Sequence, residues 1–242
     1  MAKQNVTKSA PETQPALSKQ EDFILKYKNI FIGVVVALIV IVAGVNFWNH
    51  HKADQLAEAQ TEMQAPELAV QLGMTQLSQS VDAFDGKLFE QALNGDSTGT
   101  AKGFLKIADE FSSTKAGNLA NLYAGLCYAH LDKWEEAVKY LEKFDDADDM
   151  LISPAALGAL GNAYAHVNQA DKAVSTLTKA AEKADNIMMS PIYYIQAGEI
   201  LESQGKKADA LKLYQKVKAL KTTSQSSPYV DMIDEYIERV SK

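Results

Sequence analysis

The stretch Gly161–Ala180, GNAYAHVNQADKAVSTLTKA, decides the fold. A glycine, a tyrosine three residues on, and alanines at 173 and 180 stand at helical spacing, with Leu177 between the alanines. The same frame occurs 36 residues earlier as Gly125, Tyr128, Ala137 and Leu141. It returns 37 residues later as Gly198, Leu201, Ala210 and Tyr214. Ser-Pro pairs beginning at Ser153, Ser190 and Ser227 keep the same beat. A period of this size with two helical patterns per unit predicts a stack of antiparallel helix pairs, an all-α solenoid.

Each residue type has a reason. Serine before proline predicts a helix start: the hydroxyl can cap free amides, and proline fits the first turn, where its missing N–H costs nothing. The glycine lets the paired helix come close. The alanine twelve residues on, at 137, 173 or 210, is expected to be the small residue opposite it. Tyrosines and leucines then fill the space at i, i+3, i+4 spacing. Upstream, Ala101, Leu105 and Ala108 read as the second helix of a degenerate fourth unit, and Pro228–Val240 as a closing helix.

These residues resemble the tetratricopeptide repeat (TPR), with Leu160-Gly161, Tyr164, Ala173, Leu177 and Ala180 as the best copy. Phe144, Leu201 and Val217 depart from its pattern, and none of the three copies has the proline that often ends a unit.

At 242 residues with one cysteine, the chain suggests one compact domain plus appendages, large enough to be stable without disulfides. Cys127, on the helix of Gly125 and Tyr128, reads as a packed small residue. The net charge of −7, with no basic stripe among aromatics, argues against nucleic acid.

The composition shifts once, at Ile30–Trp48, IFIGVVVALIVIVAGVNFW, which carries no charge. As a helix it would span about 28 Å, close to the hydrocarbon thickness of a bilayer. A cleaved signal peptide is disfavoured, because the tail before the run is long and no Ala-x-Ala site follows it. Lys3, Lys8, Lys19, Lys26 and Lys28 precede the span, and Lys52 faces Asp54, Glu58, Glu62 and Glu67 after it. That bias predicts a cytoplasmic N-terminus and exported repeats. From residue 50 onward there are 19 basic and 28 acidic residues, so the exported part is acidic.

The expected organisation is a disordered cytoplasmic tail over 1–22 and a transmembrane signal anchor over 23–49. An amphipathic stalk and first repeat helix follow over 50–92, then a TPR solenoid with its closing helix over 93–242. In the stalk, Leu56, Met63, Val70, Leu77 and Phe84 recur every seven residues, with Met74, Val81 and Leu88 at the second heptad position. Pro66 is expected to interrupt or kink it. Val70–Leu88 either packs on the first repeat or forms a dimeric coiled coil, the first being favoured. Gly33, Ala37, Val40 and Gly44 form a small-residue stripe that could dock another membrane helix, although a span this rich in small residues produces such stripes by composition.

Tail, anchor, stalk, then LFEQALNGD and STKAGNLANLYAGLCYAHLDKWEEAVKYLEKF together resemble the YfgM-like family of bacterial inner-membrane proteins, in its Bacteroidota-type branch. The resemblance covers roughly 23–242 and is closest over Phe89–Phe144. It implies a periplasmic TPR domain associated with the Sec translocon and with a periplasmic chaperone of the peptidyl-prolyl isomerase type. Asp96-Ser97-Thr98 also looks like the O-glycosylation site of exported proteins in that phylum, which would modify Ser97; NGDSTG has turn chemistry throughout and reads equally well as a plain turn.

No catalytic constellation, Gly-rich phosphate loop or cofactor motif occurs, so the chain does not read as an enzyme and no cofactor is expected. His50 and His51 flank the membrane run. His130 and His166 occupy equivalent repeat positions without a second ligand at i+4, which disfavours zinc. Asp145, Asp146, Asp148 and Asp149 read as a solvated acidic turn rather than a calcium loop.

In TPR stacks the first helices line the concave face. Transferred to this frame, the partner-binding groove would be Leu122, Leu126, His130, Asn162, His166, Ile195, Glu199 and Glu202, with Ala129, Gly158, Ala165 and Ser203 alongside. TPRs that clamp a carboxylate tail place lysines there, and only Asn162 matches. The groove is therefore expected to take an extended or helical polypeptide rather than an acidic C-terminal tail. The leading functional expectation is a membrane-tethered periplasmic interaction module serving exported chains and their chaperones at the Sec translocon. The alternatives are a scaffold for cell-wall synthesis or outer-membrane secretion machinery, and an organellar import receptor of reversed topology. Nothing in the sequence sets an oligomeric state.

Overall fold

Three-residue connections turn each pair of helices back on itself. The computed structural model describes residues 19–79, 84–145, 151–220 and 227–242, with side chains from residue 40 onward. Its helices are α1 (Lys19–Gln79), α2 (Lys87–Asn94), α3 (Phe104–Glu110), α4 (Lys115–His130), α5 (Trp134–Leu141), α6 (Ile152–His166), α7 (Ala170–Ala184), α8 (Ser190–Ser203), α9 (Lys207–Ala219), α10 (Pro228–Asp231) and α11 (Ile233–Ser241). The three repeats are α4–α5, α6–α7 and α8–α9. Their turns centre on Asp132, Asn168 and Gly205, which have left-handed φ of 55°, 58° and 72°. In each, the next N–H bonds to a carbonyl five residues back: Lys133 to Tyr128, Gln169 to Tyr164, Lys206 to Leu201, at 2.8–2.9 Å. This closes the helix end and reverses the chain.

Inside each hairpin the glycine makes room for one large side chain. A Cβ on Gly125 would lie 2.5 Å from Leu141 Cγ, one on Gly161 2.6 Å from Leu177 Cγ, and one on Gly198 2.3 Å from Tyr214 Cε1. The residue admitted is thus sixteen places on, which corrects the expectation that the alanine at twelve lies opposite. Ala137, Ala173 and Ala210 are fully buried all the same.

The Ser-Pro pairs also work differently from the capping expected of them. Helix α6 starts at Ile152 and α8 at Ser190, so these serines lie within their helices. Ser190 is buried; its hydroxyl donates to the Ala181 carbonyl of α7 at 2.7 Å and accepts from the Asn186 N–H at 3.1 Å. It ties one repeat to the next instead of capping its own helix. Ser227 does precede α10, but its side chain makes no capping bond.

The stack is closed at its C-terminal end by two short helices rather than one. Val230, Ile233 and Val240 bury against the core that holds Tyr214 and Val217. Glu202 of α8 accepts two bonds from the Arg239 guanidinium of α11, at 2.7 and 2.9 Å, and a third from the Tyr214 hydroxyl.

Two units divide the chain, residues 1–52 and 53–242. In the second, the heptad stripe of α1 packs from Leu56 onward: Leu56, Ala59, Met63, Ala69 and Val70 share a core with Phe89, Leu93, Phe104, Ile107, Phe111 and Cys127. The helix runs through Pro66 without interruption. Lys102 bridges this segment to α3, with Nζ 2.9 Å from Glu110 and 3.4 Å from Glu62. Ala108 and Leu105 of α3 join the same core, but Ala101, expected in the same helix, lies in the loop before it.

In the first unit, α1 begins at Lys19, and residues 1–18 of the expected tail lie outside the described residues. The described side chains Val40, Ile41, Val42, Val45, Phe47 and Trp48 are exposed. Among the described residues no helix is long and apolar enough to cross a membrane. Side chains 30–39 of the expected span, with Gly33 and Ala37, lie outside the described set, as do Val81 and 146–150 of the acidic turn. At Gly44 an added Cβ would meet nothing within 4 Å.

Candidate functional site

Helices α6 and α8 each turn one face toward a shared groove. Asn162, Ala165 and His166 stand at i, i+3, i+4 on α6, and Gln196, Glu199, Ile200 and Ser203 at i, i+3, i+4, i+7 on α8. Trp134, the first residue of α5, lines it as well. The groove holds about 610 Å³ and opens to solvent.

Its wall is aromatic where α5 meets α6. The His166 ring stacks on Trp134 with centroids 3.6 Å apart and planes 6° from parallel. One repeat earlier, His130 stacks on Phe89 of α2 at 4.7 Å. Burial lowers the His130 pKa, which favours the neutral ring. The two histidines are therefore equivalent in repeat position, and each stacks on a ring from the preceding unit. In the third repeat the position is Ser203, which has no ring to place there.

Of the eight residues expected to line the groove, the structure brings Asn162, His166 and Glu199 together. Leu122 and Ile195 are buried inside the stack. Leu126 packs between α4 and its neighbours, and His130 against Phe89. Glu202 is taken up by Arg239 and Tyr214, which hold its carboxyl below the usual range. Leu122, Ile195 and Glu202 are taken up by neighbouring helices, whereas Leu126 and His130 keep part of their surface open. Trp134, Gln196 and Ile200 were missed: Trp134 belongs to a second helix, and Gln196 and Ile200 stand where the equivalent residues of α6 are the alanines Ala159 and Ala163.

Other singled-out residues sit elsewhere. Ser97 is exposed in the loop between α2 and α3, where Asp96 accepts from the Thr98 hydroxyl at 2.6 Å and the Ala101 N–H at 3.1 Å. Cys127 is buried, and burial pushes its thiol up to about 12. Among the described residues no group of three or more His, Cys, Asp or Glu could hold a metal ion.

Comparison with known proteins agrees with this architecture. The family described as a tetratricopeptide repeat-like domain matches residues 21–235. Among solved structures, the nearly identical TPR-like repeats from a protein described as a Podosopora anserina kinesin light chain superpose with a TM-score of 0.52 at 15% identity, covering 76% of this chain and 86% of that one. A point variant of the same repeats matches with the same score and identity, over 76% and 85%. At that identity the likeness is one of fold. A search of curated proteins returns no match.

Proposed function

The chain belongs to the tetratricopeptide repeat-like family, and on that premise we propose that it is a membrane-tethered periplasmic interaction module that assists protein export at the Sec translocon. A TPR-like domain suggests a protein–protein interaction module, a kind of scaffold that is typically non-catalytic. The observation that supports a binding role here is the open groove of Asn162, His166 and Glu199, walled by Trp134 and Gln196. Tethering at the membrane rests on the uncharged run Ile30–Trp48 and on the lysines before it. The translocon, a periplasmic chaperone of the peptidyl-prolyl isomerase type and exported chains as partners rest on the resemblance to the YfgM-like family. A tether raises the effective concentration of a weak site, so modest intrinsic affinity suffices. A membrane helix contact through Gly33, Ala37 and Gly44 belongs to the same reading.

Two experiments test it. Protease added to spheroplasts should remove residues 50–242 and leave the anchor; full protection of the repeats would reverse the topology. Photo-crosslinkers at Asn162 and Glu199 in cells should capture a periplasmic chaperone or an emerging exported chain. Capture of cell-wall or outer-membrane machinery alone would replace the translocon with one of those assemblies.

A further inference from the structure

We propose that the groove between α6 and α8 takes an extended polypeptide segment that carries a lysine or arginine flanked by apolar residues. This rests on reading that groove as the partner-binding face and goes further by naming the chemistry of the partner.

Charge gives the first argument. None of the eight lining residues is a lysine or arginine, and one is an exposed carboxylate, Glu199. Glu202, one turn on from Glu199 along α8, is already matched by Arg239. Among the described residues no lysine or arginine pairs with Glu199; beside it stands the Tyr236 phenol, whose pKa is raised by burial and then by Glu199. A cationic side chain laid in the groove would find a counter-ion there. An acidic segment would meet repulsion from Glu199, with no lysine or arginine among the lining residues to offset it.

The amides give the second. Gln196 lines the groove, and its Oε1 is buried and accepts no hydrogen bond. That atom is closed to solvent, so a partner reaches it only if the Gln196 amide turns outward, and leaving it unmatched is costly enough to favour that turn. Asn162 stands across the groove on α6. An extended backbone offers free N–H and C=O groups to both amides, whichever way each is turned, and does so without regard to sequence. A helix has used those groups internally, so the extended form fits better.

The aromatic wall gives the third. Trp134 with His166 stacked on it forms a flat wall, and Ala165 and Ile200 are apolar surface beside it. Apolar side chains fit against this wall, and a guanidinium or ammonium group can also lie over an indole face.

The test uses the full-length chain in a nonionic detergent. Trp48 and Trp134 are its two tryptophans, so a Trp48→Phe background leaves Trp134 as a reporter within the groove. The probes are two capped, dye-labelled ten-residue peptides, one alternating lysine and valine, the other alternating glutamate and valine. The lysine peptide should bind and change Trp134 emission, and the glutamate peptide should not. Glu199→Lys should weaken the lysine peptide about tenfold, and Gln196→Leu should weaken it as well. Comparing variants in one detergent cancels any affinity of the peptide for micelles. Equal binding of both peptides, or unchanged binding in Glu199→Lys, would overturn the inference. If crosslinks from Asn162 still capture a polypeptide in that event, the groove remains the binding face with a different ligand. Absence of both peptide binding and crosslinks would remove both readings.

Discussion

Gly161 and Leu177 occupy one space: a Cβ on the glycine would stand 2.6 Å from the leucine's Cγ and 3.2 Å from its backbone nitrogen. Neither atom can retreat easily, because Leu177 is fully buried and its nitrogen belongs to α7. Gly161→Ala should therefore destabilise the chain by about 1–3 kcal/mol through overpacking. In a Leu177→Ala background the same change should be neutral or stabilising, since alanine is the better helix former by about 1 kcal/mol. Urea denaturation of the four chains in detergent measures the coupling; additive effects would show that the two residues do not share this space.

Gly205 separates backbone strain from packing. Its φ is +72°, and an added Cβ would meet nothing within 4 Å. Gly205→Ala should cost about 1–2 kcal/mol from the left-handed conformation alone. Asn168→Gly, at the matching turn, should be close to neutral or slightly stabilising. A thermal melt showing Gly205→Ala unchanged would mean that the turn can relax out of the left-handed region.

The closing helices should loosen in acid. Arg239 first, then the Tyr214 hydroxyl, hold the Glu202 carboxyl below the usual glutamate range. A carboxyl depressed in the folded state adds stability above its unfolded pKa and loses it as pH falls through the folded value. Protection of the amides in residues 228–241, corrected for intrinsic exchange, should therefore fall as pH drops below about 4.5, the ordinary glutamate value. Glu202→Gln should weaken the same helices at neutral pH, by about 1–3 kcal/mol, and flatten the acid response. An unchanged acid response in that variant would assign it to other carboxyls.

Cys127 should be inert in the folded chain. It is 1% exposed and its thiol is pushed up to about 12, so almost no thiolate is present near neutral pH. Labelling by a thiol reagent should be slow and should rise steeply across the urea transition. Rapid labelling without denaturant would show that the core of α1–α4 opens locally.

Crosslinking position by position should trace the groove's edge. A photo-reactive residue at His166 should reach a bound partner, whereas one at Leu122 or Ile195, buried in the stack, should yield crosslinks within the chain. Equal partner capture from all three would mean that the stack opens to bind.

How far the sequence could be followed differs from element to element. The period of Gly125, Gly161 and Gly198 was legible because a helix hairpin needs one small residue at a fixed place, whatever surrounds it. Its partner was not. Whether a glycine faces the residue twelve or sixteen places on depends on the register between two helices, which the turns at Asp132, Asn168 and Gly205 set. Likewise the seven-residue stripe of α1 was plain, but its packing from Leu56 onward depends on Phe89 and Phe104, residues far along the chain. Asn162, His166 and Glu199 could be placed in the groove by repeat frame alone. Gln196 and Trp134 lie outside the positions the frame assigns, one a turn before Glu199 on α8 and the other at the start of α5.

The three turn residues bear on what it means for this chain to repeat. Aspartate, asparagine and glycine differ in charge, size and hydrogen-bonding groups, yet each closes the same loop with the same bond five residues back. What recurs at that position is a dihedral angle, written in three different letters. A unit spelled this way can lose almost all likeness in its text while its geometry is copied faithfully, which is how a chain can superpose on another's repeats at 15% identity. It also means that a new unit joined into the stack would need the right hinge angle before it needed any particular side chain.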